Sequence, residues 1–344
     1  MSDERRTQFG LTLTAIQRHR QGHHGWSALH RAFGRLLSAG DPAFCRLLDT
    51  AWAARPGISD AHLITLLSAA VRGVCLRDGG TEAWSGLEEL RDLVERNEAA
   101  LARDICGRSN SFTGARRFLA PQLIIGGHAA QHGLDEVRLL DLGTGVGILP
   151  RQLNNRTVYD RFAKDLSWEP WTPAYWTIPL TARCGVDAYP LPTLEWVYAC
   201  HGPSSYYKDR FEELMWSFEQ TADVAEDVVI RELDILDLPR LAAFIREHTF
   251  NVITCNFVLF QYGRQFQKAV EDCVMSSIAE PGLFLTMNPS QALLSPGCRI
   301  RGRLAGGRTE LRLADASDAH LLGTITVGPD LTTIIGEGRE NSGG

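Results

Sequence analysis

Residues 137–147 read Val-Arg-Leu-Leu-Asp-Leu-Gly-Thr-Gly-Val-Gly. The run starts apolar, reaches an acid, and then places glycine at every second position. The first part is the length of a buried strand rather than a helix. The glycines let the backbone turn with positive φ, and they let a ligand approach main-chain N–H groups without Cβ interference. A strand that ends in such a turn belongs to an open α/β sheet, whose ligand crevice lies at the carboxyl ends of the strands. No other segment restricts the fold as strongly.

The rest of the chain is consistent with that start. Before residue 136 the pattern is helical. Residues 59–73 open on a Ser/Asp cap and end near Gly73, and residues 82–104 space Leu87, Leu90, Val94 and Leu101 along one helical stripe. Residues 27–38 and 43–54 are shorter segments of the same kind, and Gly126, Gly127 and Gly133 punctuate the end of this half. After residue 136, strand-like runs at 182–187, 228–234, 251–256 and 283–288 alternate with helical stretches at 207–223, 239–248 and 265–279, which predicts a parallel sheet covered by helices. Residues 310–314 and 322–327 have no helix between them and predict an antiparallel hairpin on the sheet edge. The expected division is a helical domain over 1–133 that covers the active site, an α/β domain over 134–335, and a disordered tail over 336–344.

In the glycine turn, Gly147 follows Gly145 by two places and Ile148 comes next, so the dinucleotide fingerprint G-x-G-x-x-G is not met. The pattern Asp141-x-Gly143-x-Gly145-x-Gly147 instead resembles motif I of class I S-adenosylmethionine (SAM)-dependent methyltransferases. The resemblance implies a Rossmann-like sheet and SAM as cofactor, or S-adenosyl-L-homocysteine as its product. It also implies the remaining contacts. Asp187, in Cys184-Gly185-Val186-Asp187, stands where the family keeps the acid that takes the ribose hydroxyls. In Leu233-Asp234-Ile235-Leu236-Asp237, Asp234 matches the residue beside the adenine amino group and Ile235 the apolar contact to the ring, while Asp237 caps the helix that follows. Asn256 and Phe257, at the end of 250–259, match the motif whose last residues face the methyl group.

The departure is length. Asp141 and Asp187 are 46 residues apart, where ~20 is typical of a simple βαβ unit. The excess, 154–181, carries Tyr159, Phe162, Trp168, Trp171, Tyr175 and Trp176 among three prolines, a composition that predicts no regular helix. Two roles stand open: a lid whose Trp168, Trp171, Tyr175 and Trp176 wall the substrate, or a loop stapled to the sheet by aromatic burial. Asn155–Phe162, then Gly185-Val186-Asp187-Ala188-Tyr189-Pro190 and Leu194-Glu195-Trp196, are similar to an uncharacterised bacterial methyltransferase-like family with a helical N-terminal part. Ser109-Asn110 and Arg116 match its segment ahead of motif I. That resemblance implies fold and cofactor but no substrate.

Methyl transfer from a sulfonium needs a base only when the nucleophile arrives protonated. His201 and Tyr206 are the candidates, against the alternative that His201 is an ordinary loop histidine; His128 and His132 lie just before the first strand. His23 and His24 have no ligand spacing, and the eight cysteines are scattered without C-x-x-C, so neither a metal site nor a disulfide framework is expected. A net charge of −6 gives no field for a polyphosphate chain, no run of residues suits a membrane span, and the first ten residues are not a secretory signal. Three lysines against 32 arginines suggest a GC-rich bacterial genome. The expected protein is a cytoplasmic, monomeric or homodimeric enzyme. It transfers methyl to O or N of a small organic acceptor in natural-product metabolism, with no nucleic-acid or membrane partner. The alternative is a SAM-binding protein without methyl transfer that acts as a partner or scaffold.

Overall fold

The structure is a computed structural model that describes residues 3–19, 25–79, 86–112, 114–290 and 297–336. His23, His24 and all of the expected tail but Gly336 lie outside the described residues. Five helices come first: α1 (Asp3–His19), α2 (Ser27–Ser38), α3 (Pro42–Ala54), α4 (Asp60–Arg77) and α5 (Leu87–Gly107). They are followed by α6 (Leu119–His132), β1 (Val137–Leu142), α7 (Ile148–Gln152), α8 (Arg156–Ala163), β2 (Leu166–Glu169), β3 (Leu180–Asp187), α9 (Leu194–Cys200) and α10 (Ser205–Gln220). The remainder is β4 (Val228–Glu232), α11 (Leu238–Glu247), β5 (Val252–Asn256), α12 (Arg264–Met275), β6 (Leu283–Pro289), β7 (Cys298–Leu304), β8 (Leu311–Ala316), β9 (Gly323–Val327) and α13 (Leu331–Ile335).

Two compact units share these elements: Met1–Thr113 with Tyr189–Glu213, and Gly114–Ala188 with Leu214–Gly344. The first is all helical among its described residues. Helices α3 and α4 start on side-chain caps. Asp41 accepts the Phe44 N–H at 3.0 Å, with Pro42 in the first turn of α3, and Ser59 accepts the His62 N–H at 3.2 Å to open α4. Helix α4 is apolar almost all round and therefore central. Its Arg72, 1% exposed, donates to the carbonyls of Tyr198 and His201 and lies 4.4 Å over the Tyr198 ring. Those bonds give one nitrogen of the buried guanidinium its acceptors, and they tie α9 to the helical unit although it follows β3 in sequence. The boundary thus falls at 113/114 rather than 133/134.

Helix α6 belongs to the sheet unit. A Cβ at Gly127 would stand 2.6 Å from Ile335 of α13, and one at Gly126 would stand 2.7 Å from the Trp176 carbonyl oxygen. These two glycines permit close packing inside a helix; they do not end it. Gly133 does, as a left-handed C-cap with φ 58°.

The second unit is built on one nine-stranded sheet in the order β2-β9-β8-β7-β6-β5-β1-β3-β4. Strands β4, β3, β1, β5 and β6 are parallel, and β7, β8 and β9 continue as an antiparallel meander. The chain is an α/β protein with a largely parallel sheet and an antiparallel margin. The expected hairpin is β8–β9, to which the structure adds β7 on one side and β2 on the other, parallel to β9. One sheet face is the apolar core: Leu140, Leu142, Cys184, Val186, Ile253 and Cys255 pack against Leu241 and Ile245 of α11 and Val270 and Val274 of α12. Strand alternation sends Asp141, Gly185, Asp187, Thr254 and Asn256 to the other face.

The insertion has regular structure after all. Asn155 caps α8 by accepting the Val158 N–H at 3.0 Å, and the amphipathic spacing of Val158, Tyr159 and Phe162 buries one side of that helix. Asn154 clamps the two ends of the insertion together, donating to the Ile178 carbonyl at 2.7 Å and accepting the Ile178 N–H at 2.8 Å.

Candidate functional site

The strand order reverses beside β1: β3 and β4 lie to one side of it, β5 and β6 to the other. In a sheet of this kind the crevice outside the strands' carboxyl ends is the ligand site. The glycine turn leaves β1 at that point. Gly143, Gly145 and Gly147 have φ of 68°, 60° and 73°. The N–H groups of Gly143 and Thr144 both donate to the Val186 carbonyl, at 2.8 and 3.0 Å, which folds the turn back across the end of β3. A Cβ at Gly143 would press into Val258, and one at Gly147 would stand 2.6 Å from Ile230. Packing therefore demands two of the three glycines. At the third, the Gly145 N–H donates to Asp187 Oδ2 at 2.8 Å.

Asp187 ends β3. Its other oxygen accepts the Ala188 N–H at 2.8 Å, so each oxygen is held by one backbone donor and keeps a lone pair for a ligand hydroxyl. Burial raises its carboxyl above the ordinary range against the pull of those two N–H groups. Asp141 is more extreme. It is 4% exposed, accepts the Thr254 hydroxyl at 2.6 Å, and is pushed up to about 7, chiefly by burial, with the nearby Asp187 adding to the shift.

Asp234, just past β4, is exposed and accepts the Leu236 N–H at 2.9 Å through one oxygen. Ile235 is 4% exposed and packs in the apolar core. Asp237 caps α11, accepting the Arg240 N–H at 3.3 Å. Asn256 closes β5, and Phe257 follows in the left-handed region at φ 58°. A bulky residue there is strained, and such strain gathers at functional sites. Several contacts hold it. The Phe257 N–H donates to the Met287 carbonyl at 2.7 Å, its own carbonyl accepts from Gln261 Nε2 at 2.9 Å, and the Arg117 guanidinium lies 3.8 Å over its ring.

The base candidates His201 and Tyr206 belong to the helical unit. His201 is fully buried in the helical unit, with Nδ1 2.8 Å from the Val197 carbonyl and its ring stacked on Phe112 at 4.7 Å. Tyr206, in the same unit, packs edge-on to Tyr207 beneath Arg210. His128 is buried in α6 and is held down to about 4, first by desolvation and then by His132. Among the described residues no cluster of three metal-binding side chains occurs, and no helix is long and apolar enough to cross a membrane.

Five strands separate Trp168, on β2, from β1, and the residue is 8% exposed opposite Ile325 of β9. It anchors a sheet edge and does not wall the crevice. Tyr175 meets Tyr159 edge-on at 4.8 Å beneath Arg156, and the carbonyl of Trp176 accepts from Gln122 Nε2 at 2.9 Å. Trp171 is half-buried, and the Trp176 ring is 41% exposed.

No family model and no curated protein matches the sequence. Among solved structures the chain is similar to PKMT2 from Rickettsia typhi in complex with AdoHcy, at 17% identity over 52% of this chain and 25% of that one, with a TM-score of 0.24. It thus spans a quarter of that structure's length. It is also similar to PigF with SAH, at 14% identity over 83% and 77% of the two chains with a TM-score of 0.26. An O-methyltransferase family protein from Burkholderia thailandensis overlaps at 15% identity over 84% and 78%, with a TM-score of 0.30. Overlaps this loose carry no activity from one protein to another.

Three residues of the site escaped the sequence reading. Thr254 was visible in principle, as the one hydroxyl in the apolar run Val-Ile-Thr-Cys of β5. Gly185 is needed because a Cβ there would stand 2.5 Å from Thr144, a contact between β3 and the turn after β1 that no local pattern announces. Arg117 reaches Phe257 across 140 positions, and nothing local marks it.

Proposed function

We propose that the chain is a class I SAM-dependent methyltransferase that methylates O or N of a small organic acceptor in bacterial natural-product metabolism. The observation that carries this is Asp187. Its carboxylate is fixed by one N–H on each oxygen, beside a left-handed glycine turn at the sheet's switch point. That arrangement fits a ribose, whose two hydroxyls need two oriented acceptors. The backbone at Gly145 gives close approach, and Asp234 has an oxygen to spare for an exocyclic amino group. Asn256 and Phe257 would face the transferred methyl. When bound, SAM supplies an electrophilic methyl on a sulfonium. The protein's task is then to hold the acceptor in line and exclude water.

No base is assigned. The buried His201 favours either an acceptor that arrives deprotonated or the second reading, a SAM-binding protein without transfer. Native mass spectrometry of the protein as purified separates them. Bound S-adenosyl-L-homocysteine supports turnover, bound SAM alone supports the second reading, and a nicotinamide dinucleotide in the site would refute both.

A further inference from the structure

We propose that His128 and His132 of α6 form a two-histidine site for a divalent transition ion that favours right-angled coordination, Cu²⁺ or Ni²⁺. The proposal does not rest on the methyltransferase reading. The two residues stand four apart in His128-Ala-Ala-Gln-His132, so they share one face of the helix on successive turns. Helical zinc sites use the same spacing. In α6 the two imidazole centres are 4.5 Å apart, with their planes tilted by 53° rather than stacked. Metal–nitrogen bonds of ~2.0–2.1 Å, added to the ~1.2 Å between a ring nitrogen and its ring centre, put two ligands at a right angle ~4.5 Å apart, and two at the tetrahedral angle ~5.2 Å apart. The observed separation is the right-angled one, which suits Cu²⁺ and Ni²⁺ better than tetrahedral Zn²⁺.

Burial points the same way. His128 is fully buried, and neither of its ring nitrogens has a hydrogen-bond partner. The Pro281 carbonyl lies nearby but makes no hydrogen bond of ordinary geometry with the ring. Buried polar side-chain atoms are nearly always paired, and each exception calls for an explanation. Imidazole is the commonest metal ligand, and an ion shared with His132 gives His128 the partner it lacks. His132 is exposed and lies against the His128 ring, so an ion from solvent meets it first. Among the described residues no third histidine, cysteine or carboxylate joins the pair, which leaves the remaining coordination positions to water. The pair stands apart from the crevice. Helix α6 ends at Gly133 and β1 starts at Val137, so the two histidines lie by the amino end of β1, with ~20 Å of strand between them and the glycine turn. An ion there braces the end of a helix that packs tightly on Ile335 and Trp176 through Gly127 and Gly126, and it takes no part in methyl transfer.

The test compares the untagged full-length chain with His128→Gln and with His132→Ala, whose side chain is exposed and whose fold should survive. Calorimetry follows the binding of Cu²⁺ and Ni²⁺, and pulsed EPR of the Cu²⁺ complex counts the coordinated imidazoles. The native chain should bind one ion through two imidazoles. Each variant should bind it at least about tenfold more weakly, with no more than one imidazole. Ni²⁺ at about a hundredfold above its dissociation constant should raise the melting temperature of the native chain by a few degrees and leave that of His132→Ala unchanged. Affinity for S-adenosyl-L-homocysteine should agree within about twofold with and without Ni²⁺. Equal metal affinity in the native chain and His132→Ala, a single imidazole in the native Cu²⁺ complex, a native melting temperature that Ni²⁺ lowers or leaves unchanged, or a tenfold effect of Ni²⁺ on cofactor affinity would each overturn the proposal. A chain that ignores the cofactor but binds Cu²⁺ through both histidines refutes the methyltransferase reading and upholds the metal site.

Discussion

Replacing Gly143 by alanine tests the packing that shapes the glycine turn. The residue has φ 68°, and an added Cβ would stand 3.1 Å from Val258 Cγ1, 3.2 Å from its Cβ, and closer still to Cγ2. Carbon atoms rest at ~3.5–4.0 Å, so at least one methyl must move. The left-handed conformation costs alanine ~1–2 kcal/mol, and forced overpacking adds ~1–3 kcal/mol. The expected loss is about 2–5 kcal/mol, a large share of the ~5–15 kcal/mol typical of a folded domain. Val258→Ala removes the offending methyls. In the double variant only the conformational part of the Gly143 penalty should persist, so a double-mutant cycle should return a coupling of ~1–3 kcal/mol in favour of the pair. Urea denaturation of the four proteins measures it. Additive losses, or a Gly143→Ala cost below ~0.5 kcal/mol, would show that Val258 does not set the glycine requirement.

Asp141, raised to about 7 by burial, holds its proton in the folded chain where the unfolded chain has lost it. Relative to Asp141→Asn, the native chain should therefore lose stability as pH rises from about 4 to about 7, by an amount on the order of 4 kcal/mol. The pairwise comparison is needed because His128, held down to about 4, tilts the native curve the opposite way between about pH 4 and 6.5; a difference that is flat across pH would contradict the assignment. Trp168→Ala should cost ~3–5 kcal/mol of stability without changing cofactor affinity. Trp176→Ala, its ring 41% exposed, should melt close to the native chain. Thermal melts and SAM titrations on both check this, and a Trp168 variant that melts normally but binds SAM poorly would return it to the crevice.

The parts legible in the sequence are those with local causes. The strands β1, β3, β4, β5 and β6 announce themselves as short apolar runs, and α3 and α4 by a cap residue ahead of an apolar helix. The turn Gly143–Gly147 and the acid ending β3 could be named because both lie in chain order along adjacent strands. Strand β7 alternates as Cys-Arg-Ile-Arg-Gly-Arg-Leu and was open to the same reasoning, but the sequence reading assigned nothing there. Helix α8 was hidden because aromatic and proline content of the whole insertion outweighed the Asn155 cap that starts it. The link between α4 and α9 depends on Arg72 meeting carbonyls 126 residues or more away, which no window of sequence contains.

Isothermal titration of SAM into the full-length chain and into Asp187→Ala tests the cofactor assignment most directly. The native chain should bind at one site. The variant, folded by circular dichroism, should bind about 5- to 150-fold more weakly, the equivalent of ~1–3 kcal/mol for a lost hydrogen-bonding charge. Equal affinity in the two proteins, or a native chain that ignores SAM and binds a nicotinamide dinucleotide instead, would contradict the account.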